Sequence, residues 1–297
     1  MLARIFRTIY KDIVDIIHLT QVQNIKDGEG YFKQIDTVLK NADIIITQNI
    51  NAPSKDPFLK IFPKNEHAMV IFIDSLFVSY FHPELIKTNM IPEFKVGWLH
   101  DINIINAIVE KRSLQYFLNN DPFYDENFYS NDVYEREYLK TIEEFKKRTN
   151  KLSKRILQLN RQKKPLHISI LPYIKSTFKQ EYTIPLWGDH NHPNLPVFEY
   201  LMQELISLLE LPDREKLFKS SFDVDSFQYI KRPIYKSTVK YLNIKNRSKN
   251  NYYNLGHDYQ NIIREKFVKD IWSFYLRLDK SKLEIILKEA KKPNLLP

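Results

Sequence analysis

Two short apolar runs decide the fold class of this chain: residues 42–48 read ADIIITQ and residues 69–74 read MVIFID. Both runs are rich in β-branched side chains, and each ends on a polar residue, a pattern typical of buried strands. Amphipathic helical patterns lie between such runs, and this alternation is characteristic of α/β layer folds. We therefore predict a Rossmann-like, mostly parallel sheet flanked by helices.

The other elements follow from the same periodicities. Further strands are predicted at Ile13–Leu19 and Thr183–Trp187. Helices are predicted at Leu2–Ile9, Tyr31–Lys40, Ile102–Leu118, Val133–Arg161, Leu171–Lys179, Leu195–Leu209 and His257–Leu276. The first strand of a doubly wound sheet is usually central, and the chain opens on a helical pattern, so we expect that first strand to precede Met1.

The composition changes after residue 211. Residues 212–256 are polar, rich in Tyr and Lys, and poorly periodic, whereas the sequence before them alternates apolar runs with helical patterns. We predict an α/β core over residues 1–211 and a mainly helical extension over residues 212–297 that packs on it.

The composition also excludes several kinds of site. Only 5 Gly are present, and the chain has neither the G-x-G-x-x-G nor the G-x-x-x-x-G-K-[ST] fingerprint of nucleotide-binding folds. It contains no cysteine. This excludes disulfides, cysteine-bound zinc and a thiol nucleophile within the chain.

The net charge is +9, with 45 Lys and Arg against 36 Asp and Glu. Such an excess suits a phosphate-bearing cofactor, an anionic membrane surface or nucleic acid, and equally a Lys-rich surface with no dedicated partner. Nucleic acid ranks last, because no zinc-finger or RNA-binding signature is present. No apolar run reaches the roughly 20 residues of a membrane span, and the N-terminus lacks a signal-peptide core. We expect a cytoplasmic protein.

The strongest chemical motif is Asp189-His-Asn-His192-Pro193, after a predicted strand and before a predicted helix. A carboxylate three residues before a histidine can orient the imidazole, whose other nitrogen then acts as a general base. Two histidines two residues apart could instead bind a metal, but no third ligand has suitable spacing, so we predict no metal site. His192 and Asn191 could also simply cap the helix.

Three further loops carry candidate residues. His100 and Asp101 lie at a predicted helix start, where Asp101 is a natural N-cap and an anion could bind. Gln48 and Asn49 follow the first apolar run, and His82 lies in an aromatic turn. Since α/β proteins bind ligands at the carboxyl ends of their strands, we expect the loops at 48–49, 80–83, 98–101 and 188–193 to meet at one edge of the sheet.

Taken in order, several of these segments resemble the WcbI-type capsular polysaccharide biosynthesis family of bacteria. The matching stretches are ADIIITQ at 42–48, YFHPEL at 80–85, LHDINI at 99–104 and NHP at 191–193. The resemblance implies a fold akin to SGNH hydrolases, coenzyme A (acetyl-CoA) binding and acetyl transfer in capsule assembly. The family's Gly-Asn-Cys-Gln motif, whose Cys pairs with a His, is absent from this sequence. We expect it to lie upstream of Met1 or to be lost in this copy.

The function predicted from the sequence is therefore a coenzyme-A-dependent acyltransferase acting on a sugar or glycan precursor. His192, steered by Asp189, or alternatively His100, would deprotonate the acceptor hydroxyl. Gln48 and Asn191 would hydrogen-bond the oxyanion or the sugar. The alternatives are an SGNH-like carbohydrate esterase, whose Ser would lie in the missing first turn, and a non-catalytic binding protein. The inner membrane surface and capsule-assembly proteins are the expected peripheral partners.

Overall fold

A computed structural model gives the fold of the chain. It describes residues 2–15, 37–48, 65–87, 99–120, 125–158, 164–182, 186–189, 192–222, 234–244, 252–254 and 261–291. The strands are β1 (Ile44–Gln48), β2 (Met69–Ile73), β3 (Leu85–Lys87), β4 (Leu99–Asp101), β5 (Leu166–Ile168), β6 (Trp187–Asp189), β7 (His192–Pro193), β8 (Tyr252–Asn254) and β9 (Asn261–Ile263).

The helices that the structure describes over their whole length range from six to 28 residues. They are α1 (Leu2–Ile9), α2 (Ile102–Val109), α3 (Leu114–Asn119), α4 (Asn131–Gln158), α5 (Leu171–Thr177), α6 (Leu195–Leu208), α7 (Glu215–Ser221), α8 (Lys236–Tyr241), α9 (Arg264–Leu276) and α10 (Lys280–Lys291). Residues 37–41 are also helical. The protein is thus a mixed α/β protein, as predicted.

The chain divides into two compact units of interleaved segments. Unit 1 comprises Met1–Leu76, Ile142–Lys175 and Leu195–Phe227, and unit 2 comprises Phe77–Thr141, Ser176–Asn194 and Gln228–Pro297. Both units contain segments from either side of residue 211. The boundary predicted at residue 211 from the change in composition stays a prediction.

Unit 1 is built on a parallel sheet with the strand order β1-β2-β5. The first two of these strands match the two runs that suggested the fold. Among the described strands of this sheet, β2 lies between β1 and β5 and pairs directly with both. β1 is less buried than its composition predicts, because Ile44 and Ile46 are 40% and 38% exposed while Ile45 between them is buried. Helix α6 packs against β5, and α1 packs against α7.

Unit 2 carries the antiparallel pairs β3–β4, β6–β7 and β8–β9. Its apolar core lies where α9 and α10 pack on α2 and α3. Ile105, Val268 and Ile286 are completely buried there. Because Ile86 on β3 belongs to the same core, this packing fixes the β3–β4 hairpin that presents His100 and Asp101.

Several predicted boundaries need correction. The single helix predicted at Ile102–Leu118 is interrupted, since α2 ends and α3 begins at a new N-cap, Ser113. The helix predicted at His257–Leu276 begins only at Arg264, because β9 precedes it. Residues 13–15 of the strand predicted at Ile13–Leu19 are not extended strand, and its remainder lies outside the described residues, as do 31–36 of the helix predicted at Tyr31–Lys40.

Candidate functional site

The carboxyl end of the parallel sheet in unit 1 holds a buried carboxylate with three hydrogen-bond partners. Asp74 follows β2 directly and is fully buried. Its Oδ1 lies 2.8 Å from Nε2 of His167, and its Oδ2 accepts from Ser169 Oγ at 2.6 Å and from the Ile170 amide at 3.1 Å. Burying a carboxylate is tolerable only when its oxygens are satisfied in this way.

Strand register explains why these side chains meet. Phe72 on β2 lies opposite His167 on β5, and the backbone amide of Asp74 donates to the Ile168 carbonyl at 3.2 Å, which extends the ladder by one residue. Since alternate residues of a strand share a face, Asp74 and His167 lie on the same face of the sheet. The hydrogen bond between them follows from that register.

A positive charge lies near Asp74 in the same unit. Arg148, on α4, is buried, and its guanidinium interacts electrostatically with Glu144 and Asp74. Burial lowers the pKa of Arg148, and the two carboxylates act in the opposite direction. Arg148 is thus a buried cation beside the hydrogen-bonded Asp74 side chain.

Two tyrosines adjoin this cluster. The Tyr200 hydroxyl donates to the Ser169 carbonyl at 3.0 Å. Its ring stacks on that of Tyr173, with centroids 4.8 Å apart and planes 15° apart. Both side chains are half-buried. Burial, followed by the charges of Glu204 and Asp74, raises the pKa of Tyr200. The aromatic pair is therefore fixed beside the carboxylate cluster.

In unit 2, His82 is completely buried and forms a pair with Glu84. Its Nδ1 lies 3.0 Å from Glu84 Oε1, and both side chains are excluded from solvent. Among the described residues no group donates a hydrogen bond to Oε2 of Glu84. The backbone carbonyl of Glu84 accepts from the Ile102 amide, which places the pair beside the start of α2.

The structure does not bring the side chains of His100 and Asp101 together. As neighbours on β4 they project to opposite faces of the hairpin. His100 is buried toward the apolar core, with Nδ1 3.1 Å from the Tyr275 hydroxyl. Asp101 is the N-cap of α2 and accepts from the amides of Asn103 and Ile104, which confirms the predicted cap. The two residues cannot form a carboxylate-oriented histidine as a pair.

Asp101 also belongs to a buried tyrosine network. Its Oδ2 accepts from the Tyr235 hydroxyl at 3.1 Å, and Asn103 donates to both Tyr235 and Tyr129 at 2.9 and 2.7 Å. Burial, followed by nearby carboxylates, raises the pKa of both tyrosines above the usual range. The network joins the start of α2 to the segment that precedes α8.

The motif at 189–193 forms a tight antiparallel hairpin. Asp189 on β6 and His192 on β7 are direct register partners. His192 is half-buried. Asn191 lies outside the described residues. Residues 183–185 of the strand predicted at Thr183–Trp187 lie outside the described residues, and Asp189 and His192 lie on the two strands of the hairpin itself, which is not part of the parallel sheet.

Gln48 ends β1 and is exposed, and Asn49 lies outside the described residues. Gln48 is the register partner of Ile73, so it lies on the opposite face of the sheet from Asp74. The premise that all four candidate loops follow strands of one parallel sheet is wrong. Gln48 ends β1 and the loop at 80–83 follows β2, whereas His100 and His192 lie on separate antiparallel hairpins.

Sequence reasoning missed Asp74, His167 and Glu84. Asp74 was visible as the polar residue that ends MVIFID, a position where α/β proteins place functional groups. β5 is only three residues long, and Pro165 and Pro172 flank it closely, so it gave no periodic signal. Glu84 could have been noticed from its spacing of two residues from His82.

Among the described residues, no cluster of three or more His, Asp, Glu or Cys side chains could hold a metal ion. Within the same residues, no helix combines the length and the apolar character that a membrane span requires.

The architecture defines an α/β protein with a small parallel sheet flanked by helices. No protein-family model and no curated protein matches the sequence. A solved structure with the same fold is that of WcbI, described as a novel polysaccharide biosynthesis enzyme, in its native form without a disulfide bond between coenzyme A and a cysteine. The TM-score is 0.75 at 14% identity, over 99% of this chain and 91% of WcbI. The resemblance is thus confirmed at the level of the fold.

Proposed function

We propose that this protein is a coenzyme-A-binding acyltransferase of polysaccharide biosynthesis that acts on a sugar or glycan precursor. The observation that carries the proposal is the WcbI-like fold, which spans 99% of the chain. WcbI is described as a polysaccharide biosynthesis enzyme, and its description mentions coenzyme A. Fold alone does not define activity, so the proposal needs residues suited to the cofactor.

The phosphates of coenzyme A need cationic partners, and helix α4 offers a row of them. Lys147, Lys151 and Lys154 are exposed. Their spacing of four and three residues places them on one side of the helix. Lys147 lies 3.7 Å from Glu144, whose carboxylate neutralises part of its charge. Lys151 and Lys154 are the stronger candidates for binding phosphate as point charges.

The proposed reaction moves an acyl group from a thioester to a hydroxyl. A base removes the proton of the acceptor hydroxyl, the oxygen attacks the thioester carbonyl, and the carbon–sulfur bond breaks. The proton passes from the base to the departing thiolate, which leaves as coenzyme A. The sequence as given contains no cysteine, and the proposal is direct transfer from the thioester to the acceptor, without an acyl group held on the protein.

The two candidate bases suggested by the sequence, His100 and His192, differ in their exposure to solvent. His100 is 1% exposed and faces an apolar core, where a sugar hydroxyl has no place. His192 is half-buried, and its backbone lies opposite Asp189. His192 therefore remains a candidate base, and His100 is better explained as a core residue bonded to Tyr275.

Calorimetry with coenzyme A tests the proposal. The native chain should bind one molecule, and its melting temperature should rise with ligand concentration. The double variant Lys151→Ala/Lys154→Ala should bind about tenfold more weakly, which corresponds to about 1.4 kcal/mol. The matched control Lys216→Ala/Lys219→Ala, on α7, should bind like the native chain. Absence of heat and of a thermal shift at millimolar coenzyme A would refute the proposal.

A further inference from the structure

We propose that Asp74 and His167 form the general-base site for the acceptor hydroxyl, an assignment that rests on the acyl transfer proposed above. It moves the base from the hairpin at His192 to the carboxyl end of the parallel sheet in unit 1. The acceptor class is a hydroxyl-bearing sugar, with water as the competing acceptor.

The hydrogen bond between Asp74 and His167 sets the tautomer of the imidazole. An ionised carboxylate only accepts hydrogen bonds, so Nε2 of His167 carries the proton that it donates to Oδ1 at 2.8 Å. Nδ1 then carries the lone pair and has the basic character that proton abstraction needs. Among the described residues Nδ1 has no hydrogen-bond partner, and the side chain is 18% exposed.

The two carboxylate oxygens of Asp74 have different partners, which distinguishes this site from a purely structural carboxylate. Oδ2 accepts hydrogen bonds from Ser169 Oγ and from the Ile170 amide, just after β5 ends. These two hydrogen bonds hold the end of β5 and do not involve His167. Oδ1 accepts the hydrogen bond from His167 Nε2 instead. Ser169 donates to Asp74 rather than to His167, so the arrangement is a carboxylate–imidazole pair and not a serine triad.

The surroundings suit a sugar. The stacked rings of Tyr173 and Tyr200 are half-buried and are tied to Ser169 by the Tyr200 hydroxyl. Such rings bury the apolar faces of a ligand, while a few polar groups fix its orientation. Buried Arg148 interacts electrostatically with the Asp74 side chain. His167 Nδ1 would take the hydroxyl proton and return it to the departing thiolate, so the pair is unchanged after each turnover.

The test compares His167→Ala with His67→Ala, an exposed histidine of the same unit. Thiol release from acetyl-CoA is measured with a chromogenic disulfide, first with water and then with methyl glucoside as acceptor. His167→Ala should lose about 100-fold or more in rate, bind coenzyme A like the native chain, and regain rate when imidazole is added. His67→Ala should match the native rate. Imidazole rescue would not occur if His167 only stabilised the fold.

The outcomes separate the two proposals. Native-like thiol release by His167→Ala, with the native chain active, would overturn the assignment of the base and leave the acyl transfer standing. A similar loss without imidazole rescue would also overturn it and assign His167 a structural role. No release and no coenzyme A binding by the native chain would overturn both proposals.

Discussion

At the scale of single residues, Tyr235 shows how much a buried hydroxyl depends on its partners. It donates to Asp101 and accepts from Asn103 in a fully buried position. Tyr235→Phe leaves both partners short of a hydrogen bond, so the free energy of unfolding should fall by about 1–3 kcal/mol. Urea denaturation measures the loss. The control Tyr116→Phe removes the hydroxyl of an exposed ring and should change the free energy of unfolding little. Equal losses in the two variants would contradict the role of the network.

The ion pair between Asp12 and Arg214 predicts a pH-dependent contribution to stability. Both carboxylate oxygens of Asp12 accept from the guanidinium, at 2.6 and 2.7 Å, and this lowers the pKa of Asp12 from 3.8 to about 2. A depressed carboxyl pKa stabilises the fold above the unfolded pKa, and the gain is lost as the pH falls through the folded one.

The corresponding variant is Asp12→Asn. It should be slightly less stable than the native chain above about pH 4, because the exposed pair contributes little. The difference should close as the pH falls to about 2, where the native carboxyl takes up its proton. Urea denaturation across this range measures it. A difference that stays constant with pH would show that the ion pair is not its source.

Residue-scale prediction succeeded where the chemistry is local. The N-cap Asp101 is recognisable because its partners lie two and three residues away. The bond between Asp74 and His167 joins residues 93 positions apart. It depends on the pairing of β2 with β5, which no local pattern of residues specifies.

At the scale of elements, the end of α2 explains a wrong prediction. The Lys111 amide donates to the Ile108 carbonyl and the Arg112 amide to the Ala107 carbonyl, which is the Schellman pattern of a helix end. Lys111 adopts φ 57°, a conformation that usually selects glycine. Lysine at this position conceals the helix end, so the apolar periodicity predicts one continuous helix from 102 to 118.

Lys111→Gly should therefore stabilise the protein. Glycine adopts the left-handed conformation without the steric cost of a Cβ, a gain of about 1 kcal/mol. Thermal and urea denaturation measure it. Lys111→Ala keeps the Cβ and should bring no such gain. A less stable glycine variant would mean that the loop does not hold this conformation in solution.

Element length decided what the sequence could reveal. Long amphipathic helices such as α4 and α6 were predicted to within about three residues, because several turns repeat the same pattern. β3, β4 and β5 have three residues each and show no periodicity. They form because tertiary packing around them supplies partners.

At the scale of the whole molecule, fold class was predictable and the arrangement of the candidate site was not. Alternating apolar runs and helical patterns were enough for an α/β fold, and the order of the short segments pointed to the WcbI-like architecture that the structure has. The antiparallel hairpins that carry His100 and His192 were not visible as such. The positions of these two histidines depend on strand pairing that local sequence patterns do not specify.

Acyl transfer is tested most directly by initial-rate kinetics with acetyl-CoA and a panel of sugars, followed through the released thiol. The chain contributes no cysteine of its own to this signal. Direct transfer predicts release that a sugar accelerates, with intersecting double-reciprocal lines, because both substrates must be bound together. Release no faster than in buffer with every sugar, or the parallel lines of an acyl-enzyme mechanism, would contradict it.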